Sequence, residues 1–225
     1  MAKRLFRIQF ASNLHLQYYE KVPFPLLVKP AARYLALAGN IGEPRTRLWN
    51  SFFNYASDHW DKVYFVPGHE EYLKFKNQPM LEIYNDLQDS LAKWSNVTCF
   101  NPVTPYMYLP KENVAVIGNT QDMRRNIDYF TYQKTPMVIL THYMPSLQLM
   151  IQRGFVSPYI RAWIYGDTHE AVGYQEGTMI YTNNARGYPN EPVEGFTTAA
   201  TLEFEGGDEE GVNPLMAAAA TGVKI

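Results

Sequence analysis

The sequence predicts a single layered α/β domain built on two sheets, and three observations carry that expectation. Short runs rich in β-branched and aromatic residues at positions 5–10, 34–38, 62–66, 114–117, 137–141 and 162–165 read as buried strands. Between the second and third of these the apolar period becomes helical, so strand and helix alternate early in the chain. After Gly166 the pattern changes to shorter strand-like runs separated only by turn residues.

Taken in order, each predicted strand ends in a polar or glycine-containing loop, as a strand feeding a sheet edge must. Over residues 46–60, Leu48, Phe52, Tyr55, Ala56 and His59 recur at helical spacing, and a second periodic stretch covers 81–94. His59 falls on that apolar stripe and is expected as a core or boundary histidine, outside any site. The Met- and Tyr-rich stretch around residues 132–155 reads as a strand followed by an amphipathic helix, hence as core. Late strands are expected at 172–174, 178–182 and 199–204. From Gly206 the composition turns acidic and then alanine-rich, with no apolar period able to join a core. The expected organisation is one domain over 1–205 and a tail over 206–225. In that tail the run 208–210 is expected as a solvated hinge, and Leu215 and Met216 either dock in the groove of a protein partner or fold back on the domain.

At 225 residues and 46% hydrophobic content, the chain is long enough to bury one sizeable core. Twenty basic against 22 acidic residues leave a net charge of −2, which argues against nucleic acid as a partner. One cysteine, Cys99, and an opening MAKRLFRIQF without an apolar leader point to a reducing, cytoplasmic setting, with a place in a virion or other assembly as the alternative. No window approaches eighteen consecutive apolar residues, so no spanning helix is expected. Aromatic residues make up 15%, including 17 tyrosines, and are assigned to the core.

Four of the five histidines sit in loops directly after apolar runs. These loops are Ser12-Asn13-Leu14-His15, Pro67-Gly68-His69-Glu70-Glu71, Thr141-His142 and Gly166-Asp167-Thr168-His169, with Gly39-Asn40 ending a fifth run. Loops at the carboxyl ends of strands are where α/β sheets gather ligands. In order and context the five resemble the motifs of calcineurin-like metallophosphoesterases, D-x-H, G-D, G-N-H-[DE], T-H and G-H-x-H. The segments LALAGNIGEP, FVPGHEEY, LTHYMPS and TNNARGYPNE extend the likeness, which covers roughly residues 5–188. The resemblance implies an α/β/β/α two-sheet sandwich whose loops bind two divalent cations and activate water against phosphorus. It places His15 and His169 at the first metal and His142 at the second.

The departures from the pattern are as informative as the matches. Asn13 stands where the first-metal aspartate belongs and Asn40 where the bridging aspartate belongs. His69 and Glu70 replace an asparagine and the catalytic histidine, and Asp167 replaces a histidine ligand. Two registers fit Pro67-Gly68-His69-Glu70-Glu71: the one just given, or one with the asparagine deleted, His69 as the catalytic histidine and Glu70 as the following acid. Two +2 ions ~4 Å apart repel by on the order of 16 kcal/mol at an effective dielectric near 20, and a neutral amide at position 40 does little to offset that. A stable dinuclear centre is therefore not expected. Two readings of the loops stay open: one divalent ion (Zn, Mn or Fe) with ligands drawn from His15, His142, His169, Asp167, Asn13 and Asn40 and with His69 and Glu70 in catalytic positions, or the same histidines and amides completing loop hydrogen bonds without metal. Two functional readings follow. One is a catalytically impaired homologue acting mainly by binding within a larger assembly. The other is an active phosphoester hydrolase with a rewritten, mononuclear metal site.

Overall fold

The structure, a computed structural model, describes residues 5–73, 75, 78–118, 123–146 and 155–207. The expected docking segment at Leu215 and Met216, the hinge at 208–210 and the helix read over part of 132–155 lie largely or wholly outside the described residues.

Two sheets pack face to face. The first has the order β13-β1-β2-β3-β4, from Thr201–Glu205 (β13), Leu5–Ala11 (β1), Tyr34–Ala38 (β2), Lys62–Val66 (β3) and Val97–Cys99 (β4). β1 to β4 are parallel, and β13 closes the edge antiparallel to β1 with Phe6 opposite Phe204. The second sheet has the order β5-β6-β7-β8-β10-β9. Its strands are Tyr106–Leu109 (β5), Val114–Ile117 (β6), Met137–Leu140 (β7), Ile160–Ile164 (β8), Ala171–Glu176 (β9) and Met179–Asn184 (β10).

Strand alternation decides what each layer buries. Phe6, Ile8, Phe10, Ala36, Ala38, Tyr64 and Val66 face Val116, Val138, Leu140, Ala162 and Ile164 between the sheets. The alternate residues Leu35, Leu37, Val63 and Phe65 turn outward beneath helices α1 (Arg47–His59) and α3 (Met80–Leu91). On the far face of the second sheet, Ile117, Ile139, Trp163 and Tyr181 meet Ile127 and Phe130 of α4 (Met123–Tyr132). The result is the α/β/β/α sandwich expected from the sequence.

Thr46 caps α1 by accepting from the Trp49 amide. The buried stripe of α1 is Trp49, Phe52, Phe53 and Ala56, about one position from the expected stripe. His59 is a correction: it is exposed, with Nδ1 2.8 Å from the Tyr55 carbonyl and its ring on Tyr55. Trp49 and Phe53 bury more apolar area than Leu48 and His59, so the helix rotates toward them.

Candidate metal centre

Parallel strands send their carboxyl ends to one edge. The loops after β1, β2, β3, β7 and β8, with the short helix α2 (His69–Leu73), carry all eight residues singled out in the sequence. Several loop residues have left-handed backbones: φ is 52° at Asn13, 51° at His15, 53° at Asn40 and 62° at Asp167. Asn, Asp and His tolerate this conformation better than other side-chain-bearing residues. Asparagine can therefore occupy positions 13 and 40 without disturbing a turn that suits aspartate equally well.

The residues form two groups. In one, His69, His142 and Asp167 bring ligand-type atoms within 4.8 Å of one another. Asp167 Oδ1 lies 3.6 Å from His142 Nε2 and 3.9 Å from His69 Nδ1. Both distances exceed a hydrogen bond and are close to the roughly 3.4 Å separating two ligands of a tetrahedral ion bound at about 2.1 Å. His142 Nδ1 donates to the Ala38 carbonyl at 3.0 Å, which leaves the lone pair on Nε2. That Nε2 is buried and has no hydrogen-bond partner. Burial also holds His142 below the usual histidine range, against the Ala38 carbonyl and Asp167, so its imidazole is neutral at pH 7. The site is pressed together by glycines: a Cβ on Gly39 would lie 2.4 Å from His142 Nδ1, and one on Gly68 2.4 Å from Asn40 Oδ1.

In the other group, His15 Nδ1 lies 2.8 Å from Glu70 Oε2, while its Nε2 lies 3.2 Å from Nε2 of His169. Gln17 Nε2 also donates to Glu70. Burial pushes the Glu70 carboxyl up, but the hydrogen bonds from His15 and Gln17 together outweigh it and leave it below the usual glutamate value. His169, at the exposed rim, is lowered by burial of its ring and by neighbouring His15. Tyr188 stacks on His15 at 4.3 Å between ring centroids and meets His169 edge-on at 5.0 Å. It is carried by a small hairpin, Gly187–Tyr188 (β11) paired with Glu191–Pro192 (β12). Asn13 Nδ2 donates to the carbonyls of Asp167 and Thr168, and Asn13 Oδ1 is buried without a partner.

Asn40 sits between the groups. Its Oδ1 accepts from the Glu70 amide at 3.2 Å, and its Nδ2 lies 3.3 Å from His69 Nδ1. Both ends of the amide are engaged with the His69-Glu70 loop.

Sequence reasoning passed over three contributors. Glu71 is fully buried and accepts from the amides of Asn40, Ile41, Gly42 and Gly68, fastening the two loops together. Burial pushes its carboxyl up to about 7 against those four donors. Asn183 accepts from Ser12 Oγ and donates to Thr168, tying the β1 loop to the β8 loop. Tyr188 lies in the Asn-Ala-Arg-Gly-Tyr run, whose likeness to the family pattern was the available signal.

No protein-family model matches the sequence. An uncharacterized protein of Acanthamoeba polyphaga mimivirus is 22% identical to it, over 82% of this chain and 92% of its own length. Among solved structures, the phosphopantetheinyl hydrolase of Mycobacterium tuberculosis superposes with a TM-score of 0.58 at 15% identity, over 81% of this chain and 90% of its own. The fold is that of the calcineurin-like metallophosphoesterases. Among the described residues, no helix is long and apolar enough to cross a membrane.

Proposed function

We propose that the protein acts on phosphoesters with one divalent cation, zinc, manganese or iron, held by His69, His142 and Asp167. The observation that carries this reading is His142: one ring nitrogen is anchored on a backbone carbonyl, and the other is buried, unpartnered and 3.6 Å from a carboxylate. An unsatisfied buried nitrogen costs about 1–3 kcal/mol, which a cation at that nitrogen offsets. When bound there, such an ion supplies Lewis-acid polarisation of a phosphoryl oxygen and balances its charge.

The chain's own residues account for the rest of the mechanism. The Ala38 carbonyl fixes the His142 ring, while the Asn40 amide sits against His69 Nδ1 and has to give way where that nitrogen holds the cation. Glu70 is a positioning residue: its carboxylate is spent on His15 and Gln17, and through His15 it sets His169 at the rim. With Nε2 of His169 turned to His15, its Nδ1 is the ring nitrogen left to meet a phosphate group at that rim.

The second reading, a catalytically impaired homologue acting by binding within a larger assembly, is favoured by Asn40. A neutral amide engaged at both ends supplies no anionic bridge between the two groups.

Elemental analysis for Zn, Mn, Fe and Ni, with hydrolysis of an aryl phosphate with and without Mn²⁺, tests the choice. About one ion per chain and turnover lost in His142→Ala supports the first reading. An ion without turnover supports the second, and absence of any ion sinks the first.

A further inference from the structure

We propose that the phosphoesters taken by this site carry an uncharged aromatic group, seated in a cavity of about 300 Å³ that shares His142 with the cation ligands. The proposal rests on the phosphoester reading and adds the chemistry of the non-phosphate part. The volume sits at the lower end of the roughly 300–1,000 Å³ typical of small-molecule pockets.

The walls select for rings. Tyr72, Tyr84, Phe100, Tyr143, Phe155 and Trp163 all line the cavity, and among the described residues no Asp, Glu, Lys, Arg, Asn or Gln does. A sugar or polyol seated there would lose its water without finding enough partners, at roughly 1–3 kcal/mol for each unsatisfied group. An aromatic ring loses little on leaving water and finds edges and faces to pack against.

Several polar atoms in the wall are already committed. Trp163 Nε1 donates to Thr141 Oγ1 at 2.9 Å, and Thr141 Oγ1 donates to the Tyr143 carbonyl at 2.8 Å. Tyr72 and Tyr84 meet edge-to-face at 6.3 Å and hydrogen-bond to each other. The floor is firm: Phe100 and Trp163 are buried, and a Cβ on Gly118 would lie 1.9 Å from the Phe100 ring. Only His142 in this lining belongs to the cation group, so an aromatic substituent in the cavity has its phosphate on the side of His142, beside His69 and Asp167.

Calorimetric titration of the Mn²⁺-loaded full chain with 1-naphthyl phosphate and methyl phosphate tests this, with 1-naphthol titrated into cation-free protein in parallel. We expect naphthyl phosphate to bind at least about tenfold tighter than methyl phosphate, with a negative heat-capacity change. Met144→Asp and Tyr84→Asp, which charge two partly exposed wall positions, should each remove most of that preference while leaving Mn²⁺ and methyl phosphate binding unchanged. Equal affinity for the two esters, or a preference untouched by both variants, would overturn the proposal. Naphthol bound while neither ester gains from its phosphate would uphold the aromatic cavity and sink the phosphoester reading. Methyl phosphate bound with no gain from the ring would do the reverse.

Discussion

The two halves of the centre start from the same ingredients: a pair of imidazoles, a nearby carboxylate and an asparagine, presented by loops with left-handed residues. They differ in where the carboxylate points. Asp167 faces the unpartnered nitrogen of His142 at 3.6 Å and shares the space in front of it with His69. Glu70 instead stands behind His15, bonded to Nδ1 at 2.8 Å, while His15 and His169 contact each other at 3.2 Å. A carboxylate in front of imidazoles adds anionic charge to a cation site, whereas one behind an imidazole orients it. The first half keeps one buried, unpartnered ligand atom, His142 Nε2, and the second has largely satisfied itself.

The sharpest way to break this comparison is to delete one imidazole from each half. His142→Ala should weaken Mn²⁺ or Zn²⁺ binding by more than about 100-fold, because even losing an outer partner of a ligand typically costs about 10–100-fold. His15→Ala should change it by no more than about threefold, the scatter expected when no ligand is lost. Titration calorimetry on both variants decides, and equal losses would show that the halves work as one site.

Adding charge sharpens the comparison from the other side. Asn13→Asp with Asn40→Asp adds one anionic group in the second half and one between the halves, at positions whose left-handed backbone aspartate accepts readily. Cation stoichiometry should rise from one per chain to two, read by elemental analysis. A stoichiometry that stays at one would show that Glu70, by holding His15 from behind, and not the missing charge, limits the second position.

The layers and the site differed in how legible they were in the sequence. β2, β3 and β6 match their expected bounds because uninterrupted apolar runs have few other ways to be buried. β4, β5 and α4 were missed. β4 has only three residues, β5 is the short edge-strand run YMYL, and α4 mixes its buried Met123, Ile127 and Phe130 with Arg124, Arg125 and Asp128. The eight site residues could be placed at one edge because their loops follow parallel strands. The grouping into halves could not be read from sequence, because counting carboxylates says nothing about which face of an imidazole they meet. Nor could the role of Glu71, three of whose four amide donors come from a loop remote in sequence.

A smaller effect probes the self-satisfied half directly. Glu70→Gln keeps the shape but removes the charge that His15 and Gln17 hold. The folded-state pKa of Glu70 is below its unfolded value of 4.5, so its contribution is fully present above about pH 4.5 and fades as pH falls through the folded value. The variant should therefore be less stable by about 1–3 kcal/mol at pH 7 and approach the parent in acid, measured by urea unfolding at several pH values. A pH-independent difference would mean that shape, not charge, matters there.

The least disruptive test concerns Tyr188, which touches only the self-satisfied half. Its ring stacks on His15 at an interplanar angle of 24° and meets His169 edge-on, so it adds aromatic packing without offering a cation ligand to His69, His142 or Asp167. Tyr188→Leu retains apolar bulk and loses the ring, which should lower stability by about 0.5–1.5 kcal/mol, the usual worth of an aromatic pair beyond its buried area. Because His142 keeps its carbonyl anchor and Asp167 its position, cation affinity should stay within about threefold of the parent's. Thermal unfolding and calorimetric titration of the same sample read both quantities. A large fall in cation affinity with little change in stability would assign Tyr188 to the metal centre itself, and the boundary between the halves would have to be drawn elsewhere.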